Sequence, residues 1–124
     1  MANATTPAIG ELICRVFTTR NASHLEHWRT RSYAQHMALG SFYEDIIDNI
    51  DTIIECYQGN FGLITTSNQT CSINKDIVKQ LRSDVKWIAD NRSAIAQNVD
   101  ALENLIDGLT EVYLRTIYKL TNLS

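Results

Sequence analysis

Beyond Pro7 this chain of 124 residues contains no proline. Proline removes a backbone donor and breaks a helix interior, yet it is tolerated at the first helical position. Everything downstream of Pro7 is therefore free to be helical, and the apolar pattern uses that freedom. Ile9, Leu12, Ile13, Val16 and Phe17 recur at three- and four-residue steps, and the stripe continues through Ala22, Leu25 and Trp28. This spacing predicts a first helix over roughly residues 7–28.

Ser32, with Gln35 three residues on, has the form of a capping box. Leu39, Phe42, Tyr43, Ile46, Ile50, Ile53 and Tyr57 follow, which predicts a long second helix ending near Gly59. The segment between Gly59 and Ser72 is rich in Gly, Ser, Thr and Asn, and is longer than an ordinary helix–helix turn. A crossover or a packed loop is expected there. Asn74 is the candidate cap of a third helix marked by Ile77, Leu81, Val85 and Ile88. Asp90-Asn91-Arg92 is the expected break. Ile95, Val99, Leu102, Ile106, Leu109, Tyr113, Ile117 and Leu120 then form a coiled-coil-like seam over about 94–120. Four amphipathic helices bury their stripes most simply as a four-helix bundle, here one domain over 1–124 with a flexible start at 1–6.

The chain carries 11 basic and 14 acidic residues, for a net charge of -3. Nothing in that balance calls for nucleic acid or an anionic membrane as partner. No apolar run approaches the roughly 20 residues that span a bilayer, and Met1 to Pro7 lacks the basic and apolar parts of a secretory signal. A soluble, intracellular protein is the expectation. Cys14, Cys56 and Cys71 are odd in number and widely spaced, with no CxxC pair, and buried free thiols are expected. Gly59-Asn60-Phe61-Gly62 has neither GxGxxG spacing nor a following Lys-Ser/Thr, so no phosphate loop is present.

The feature that points to chemistry is a cluster. His24, His27 and His36 are the only histidines, and Glu44, Asp45, Asp48, Asp51 and Glu55 follow directly. At about 100° per residue, His36, Gly40, Glu44, Ile47, Asp51 and Glu55 share one strip of the second helix. Asp51 and Glu55 are one turn apart and suit a shared cation. With a rise of about 1.5 Å per residue, His36 and Asp51 lie roughly 22 Å apart along that helix, too far to hold one ion within it. A site using both needs a second chain, packed antiparallel about a two-fold axis so that the histidine end of one helix meets the acidic end of the other. Imidazole with carboxylate suits iron, zinc or manganese.

The stretch from His24 to Gly59, HLEHWRTRSYAQHMALGSFYEDIIDNIDTIIECYQG, resembles the ferroxidase segment of Dps-like ferritins, the mini-ferritins, and is similar to small Dps-like proteins of phage genomes. In that family a histidine of the first helix is followed twelve residues later by one of the second, and an Asp-x-x-x-Glu pair lies fifteen residues further on. His24 and His36 keep the first interval; Asp51 and Glu55 keep the second. The resemblance implies a ferritin-like bundle, a homo-oligomer built on a two-fold dimer of the second helix, and ferrous iron held by His24 and His36 of one chain and Asp51 and Glu55 of its mate. Gly40 stands where the family usually has an aspartate, which removes a ligand for a second iron and predicts a degenerate ferroxidase. Trp28 follows His27 and not His24, unlike the family's His-Trp pair, and no lysine-rich DNA-binding tail is present. The alternative expectation is a phage structural or interaction protein, with virion or host contacts, that keeps the bundle without metal chemistry. The segment Phe61-Gly62-Leu63-Ile64 is its candidate contact surface. The matching locations are the cytoplasm of a bacterial or phage-infected cell and, for the alternative, the virion.

Overall fold

A computed structural model describes residues 7–65 and 71–124; the expectation of a flexible start at 1–6 and the middle of the expected connection lie outside them. Four helices follow in order, α1 (Pro7–Arg29), α2 (Tyr33–Phe61), α3 (Ile77–Ala96) and α4 (Asp100–Asn122), with no strand among the described residues. No helix is long and apolar enough to cross a membrane, again among the described residues. One core cluster draws on all four helices, including Leu12 and Val16, Phe42 and Ile50, Leu81 and Ile88, and Ile106 and Tyr113.

Local chemistry explains most of the boundaries. Ser32 caps α2, its hydroxyl accepting from the Gln35 N–H at 3.2 Å. The Gln35 side chain turns to Thr30 and accepts from its hydroxyl at 2.7 Å. The helix runs past Gly59 to Phe61, because the residue that stops it is Gly62, at φ +96°, whose N–H closes on the Gln58 carbonyl. A positive φ is where glycine costs least. Asp76, and not Asn74, caps α3 by accepting from Val78 and Lys79; Asn74 in turn holds the Asp76 N–H. The expected break at Asp90-Asn91-Arg92 is helical. α3 continues to Ala96 and ends where Gln97 and Asn98 both adopt positive φ, 50° and 67°. Val99 opens α4 without a side-chain cap, and Asp100 and Glu103 complement the dipole of its first turn.

Contacts between helices fix their directions. His27 meets His36 and Arg20 meets Tyr43, so α1 and α2 are antiparallel neighbours. Thr19 meets Gln80 and Arg15 meets Trp87, so α3 also runs antiparallel to α1. Phe42 packs edge-on to Tyr113, and Arg92 reaches Glu103 and Asp107, which set α4 against both α2 and α3. The bundle is thus ordered α1–α2–α4–α3 around its perimeter, with α2 and α3 parallel at opposite corners. The chain between them must cover the bundle's length, and its described parts cross the outside of α1. Ile64 lies beside Ile13 and Phe17, the Cys71 N–H donates to Thr18 Oγ1 at 3.1 Å, and Ile73 lies beside Ala22 and Leu25.

Cys14 and Cys71 are joined as a disulfide, with Cα atoms 5.9 Å apart, and Cys56 is the free thiol. The expectation of three free thiols is corrected for two of them: the crossover brings together cysteines that sequence spacing cannot relate. The one fully buried ionisable carboxyl is that of Asp84, between α1, α3 and α4. It accepts from the hydroxyls of Thr19 and Tyr113, the latter at 2.8 Å, and from Arg15 Nη1 at 3.2 Å. Desolvation outweighs these partners and raises the Asp84 pKa. Burial and the nearby Asp84 charge push the Tyr113 phenol well above its usual range, so it remains a donor.

Two outcomes are expected from these contacts. Reducing the Cys14–Cys71 bond, with a sequence separation of 57, releases a long closed loop and lowers stability by up to about 4 kcal/mol in the loop-entropy picture; urea midpoints with and without reductant measure it. Asp84→Asn destabilises by about 1–3 kcal/mol through unpaired buried donors. Because the folded carboxyl binds its proton more tightly than the unfolded one, its stabilising contribution is full below the unfolded pKa and fades as pH rises through the folded one. The deficit of the variant is therefore largest in acid and shrinks toward neutral pH, as paired denaturant titrations would show.

Candidate functional site: the outer face of α1 and α2

The α1–α2 turn is short, so the last turn of α1 and the first of α2 lie side by side. There His27 Nδ1 lies 2.6 Å from the His36 carbonyl oxygen, and His36 Nδ1 lies 2.8 Å from the His27 carbonyl oxygen. A carbonyl only accepts, so both Nδ1 atoms carry a proton and donate, and Nε2 is the atom of each ring that can offer a lone pair. The rings stack with centroids 3.7 Å apart and planes 17° from parallel. Gly40 makes the clasp possible: a Cβ there would stand 3.1 Å from His27 Cε1 and 3.3 Å from its Nδ1. The space beside Gly40 is taken up by the His27 imidazole.

His24 belongs to the same end of the face. Its ring stacks on Tyr43 at 3.9 Å and tilts against Trp28 at 4.6 Å, while the Arg20 guanidinium lies 5.2 Å from the Tyr43 ring centre. Its ring centre is 6.3 Å from that of His27, which sits between it and His36. The resemblance singles out His24 and His36, whereas in the structure it is His27 that stacks on His36. The signal that finds His27 is helical level: with Arg20 opposite Tyr43, the residue opposite His36 is two turns further along α1.

Asp51 and Glu55 lie at the other end of α2, exposed, on the rim of a groove of about 420 Å³. Ile13 and Phe17 of α1, Ile50 and Ile54 of α2 and Ile64 of the crossover form its apolar lining. The four predicted ligands thus occupy one outer face at opposite ends. Among the described residues, no three His, Cys, Asp or Glu side chains gather where one chain would hold a metal ion. The histidine pair does not make a chelate as it stands either. An imidazole lone pair lies in its ring plane, and an ion in the plane of one stacked ring is well outside the plane of the other.

At the histidine end Trp28, Tyr33 and Met37 are exposed, Trp28 by 67%, and Phe17 is exposed at the groove. The candidate surface around residues 61–64 is mixed: Leu63 is exposed by 79%, whereas Phe61 packs edge-on to Tyr57 and Ile64 is half-buried.

The fold and this face define a small four-helix bundle whose histidines and Asp51–Glu55 pair lie on the outer face of α1 and α2. The chain belongs to DUF5856, a family of unknown function, whose model matches residues 27–120. That span takes in His27, His36, Gly40, Asp51 and Glu55 and leaves out His24. No curated protein and no solved structure matches the chain.

Alanine at position 40 has opposing effects: it favours the helix by about 1 kcal/mol over glycine but presses on a ring already held by His36. Gly40→Ala is therefore expected to leave the protein no more stable, whereas the same change in a His27→Ala background stabilises by about 1 kcal/mol. A denaturation double-mutant cycle measures the difference.

Proposed function

We propose that the protein is a ferritin-like, Dps-like metal-binding bundle that works as a homo-oligomer, holding ferrous iron between two chains. The observation that carries this reading is the division of one outer face into a histidine end and a carboxylate end, roughly 22 Å apart along a single helix. Two copies packed antiparallel over that face bring His24 and His36 of one to Asp51 and Glu55 of the other, twice per dimer. A single long crossover between parallel helices is also the connectivity of ferritin-like bundles.

The donor set suits iron. His36 Nδ1 is fixed by a backbone carbonyl, which orients its free Nε2 as at metal-bound histidines. Asp51 and Glu55 are exposed, unencumbered oxygens one turn apart. The bound ion would supply redox chemistry toward oxygen or peroxide; the chain's part is to hold and orient it and to balance its charge with two carboxylates. Gly40 offers no carboxylate for a second ion, and His27 fills the space, so one ion per site and weak ferroxidase activity are expected. The cytoplasm of a bacterial or phage-infected cell is the matching location.

A second reading is favoured by the stacking of His27 on His36 and by the exposed aromatic residues of the same face: a structural or interaction protein of a phage that keeps the bundle and has no metal chemistry. Anaerobic ferrous loading followed by elemental analysis and native mass separates the two. The wild type is expected to retain about one iron per chain and Asp51→Ala to lose most of it. Equal, negligible iron in both proteins overturns the metal reading, and stoichiometric presence in a virion without metal favours the second.

A further inference from the structure

We infer that Trp28 is the anchor of the contact between two copies, its indole seating in the groove lined by Phe17, Ile50 and Ile54 of the mate. The inference rests on the two-chain reading above and names what fills the groove. An exposed indole and an apolar groove of about 420 Å³ lie on the same face, at opposite ends. Their levels are the independent evidence. A two-fold axis that superposes His36 on Asp51 must pass α2 midway between them, at Tyr43 and Glu44. Tyr43 lies against Arg20 of α1, so the axis crosses α1 at Arg20. Trp28 stands about 12 Å beyond Arg20 along α1. The axis therefore carries it about 12 Å the other way, to the level of Ile13 on α1 and Asp51 on α2, both of which line the groove.

Charge favours the same register. The end that carries Trp28 bears Arg20 and Arg31 beside the histidines, with Arg29 paired to Glu26, while the groove end bears Asp51 and Glu55, with Glu44, Asp45 and Asp48 toward the middle. Antiparallel packing sets the basic end over Asp51 and Glu55 twice, with Glu44 near the axis close to its own copy; parallel packing sets Asp51 and Glu55 at the level of the mate's and leaves the basic end without an acidic one. A desolvated tryptophan in a central pocket is also the side chain that most often dominates a protein–protein contact.

The test uses metal-free protein in chelator with Trp87→Phe, which leaves Trp28 as the only indole. On raising the concentration through the association range, Trp28 emission is expected to move to shorter wavelength in step with the mass measured by ultracentrifugation. Trp28→Ala and Phe17→Glu, both at exposed positions, are expected to weaken association roughly 10- to 100-fold without changing the helical circular dichroism. Association that persists undiminished in both variants, with Trp28 emission unmoved, overturns this inference and leaves the two-chain metal site standing. A folded chain that stays monomeric at every concentration, with and without ferrous ion, overturns both. Loss of iron in Asp51→Ala with association and emission shift retained supports the anchor as a contact separate from the metal.

Discussion

Because α2 and α3 point the same way at opposite corners of the bundle, the chain has to travel back along the molecule between them, and it does so across α1. That constraint organises the rest. It covers one side of the outer surface of α1 with Cys71 and Ile73 and brings Ile64 to the edge of α2, where it walls the apolar groove. The α1–α2 face stays open. A bundle with short turns throughout would have antiparallel neighbours at every step and no such strap. The disulfide and the Thr18 hydrogen bond hold the strap where it crosses α1, so the groove owes one of its walls to a contact well away from it.

Inside, Asp84 works against burial. Its carboxyl is fully covered, and Arg15, Thr19 and Tyr113 restore only part of what water would give. Such a group adds little net stability, since replacing buried ion pairs by well-packed apolar side chains is often neutral or better. What it does supply is a demand: three donors from two other helices must converge on α3 at one level. An apolar seam tolerates a slip of one turn far better than this network does. The register of α1 and α4 against α3 is thereby selected, and with it the path of the crossover.

Much of the fold was legible in the sequence because helices announce themselves by period. Pro7, the Ser32 cap and the stripes of α1 and α2 lie where their patterns indicate, as does the seam of α4 from Leu102 onward, whereas Ile95 belongs to α3 and Val99 only precedes α4. The misses have physical causes. Asp90-Asn91-Arg92 looks polar enough to be a break, but Arg92 is an ion-pairing residue on a continuing helix, bound to Asp107 at 2.7 Å. The true turn uses left-handed Gln97 and Asn98, and no glycine or proline marks it. The Cys14–Cys71 pairing depends on the crossover path, which local pattern does not encode. At the candidate site, residue types and spacing along α2 place His36, Asp51 and Glu55 on one strip, but the contact of His27 with His36 is not legible in them. Which α1 histidine faces it depends on the tightness of the turn, and only packing decides that.

Gly40 shows how the site and the fold are tied. Read along the sequence, it is an absence of charge; in the structure it is the space into which His27 fits, and the two facts are one. A carboxylate at position 40 would add negative charge beside His36 and a Cβ against the imidazole. No carboxylate stands at position 40 beside the His27–His36 pair, so on the two-chain reading a bound cation would depend on Asp51 and Glu55 of the mate. On the proposed two-chain reading, binding an ion and pairing two chains are then linked equilibria: an ion that binds only the paired state stabilises it by RT ln(1 + [L]/Kd) per site, and a dimer has two such sites. On the same reading, a Gly40→Asp chain would hold an ion closer to its own groups and need its mate less, so the glycine puts the weight on the contact between bundles.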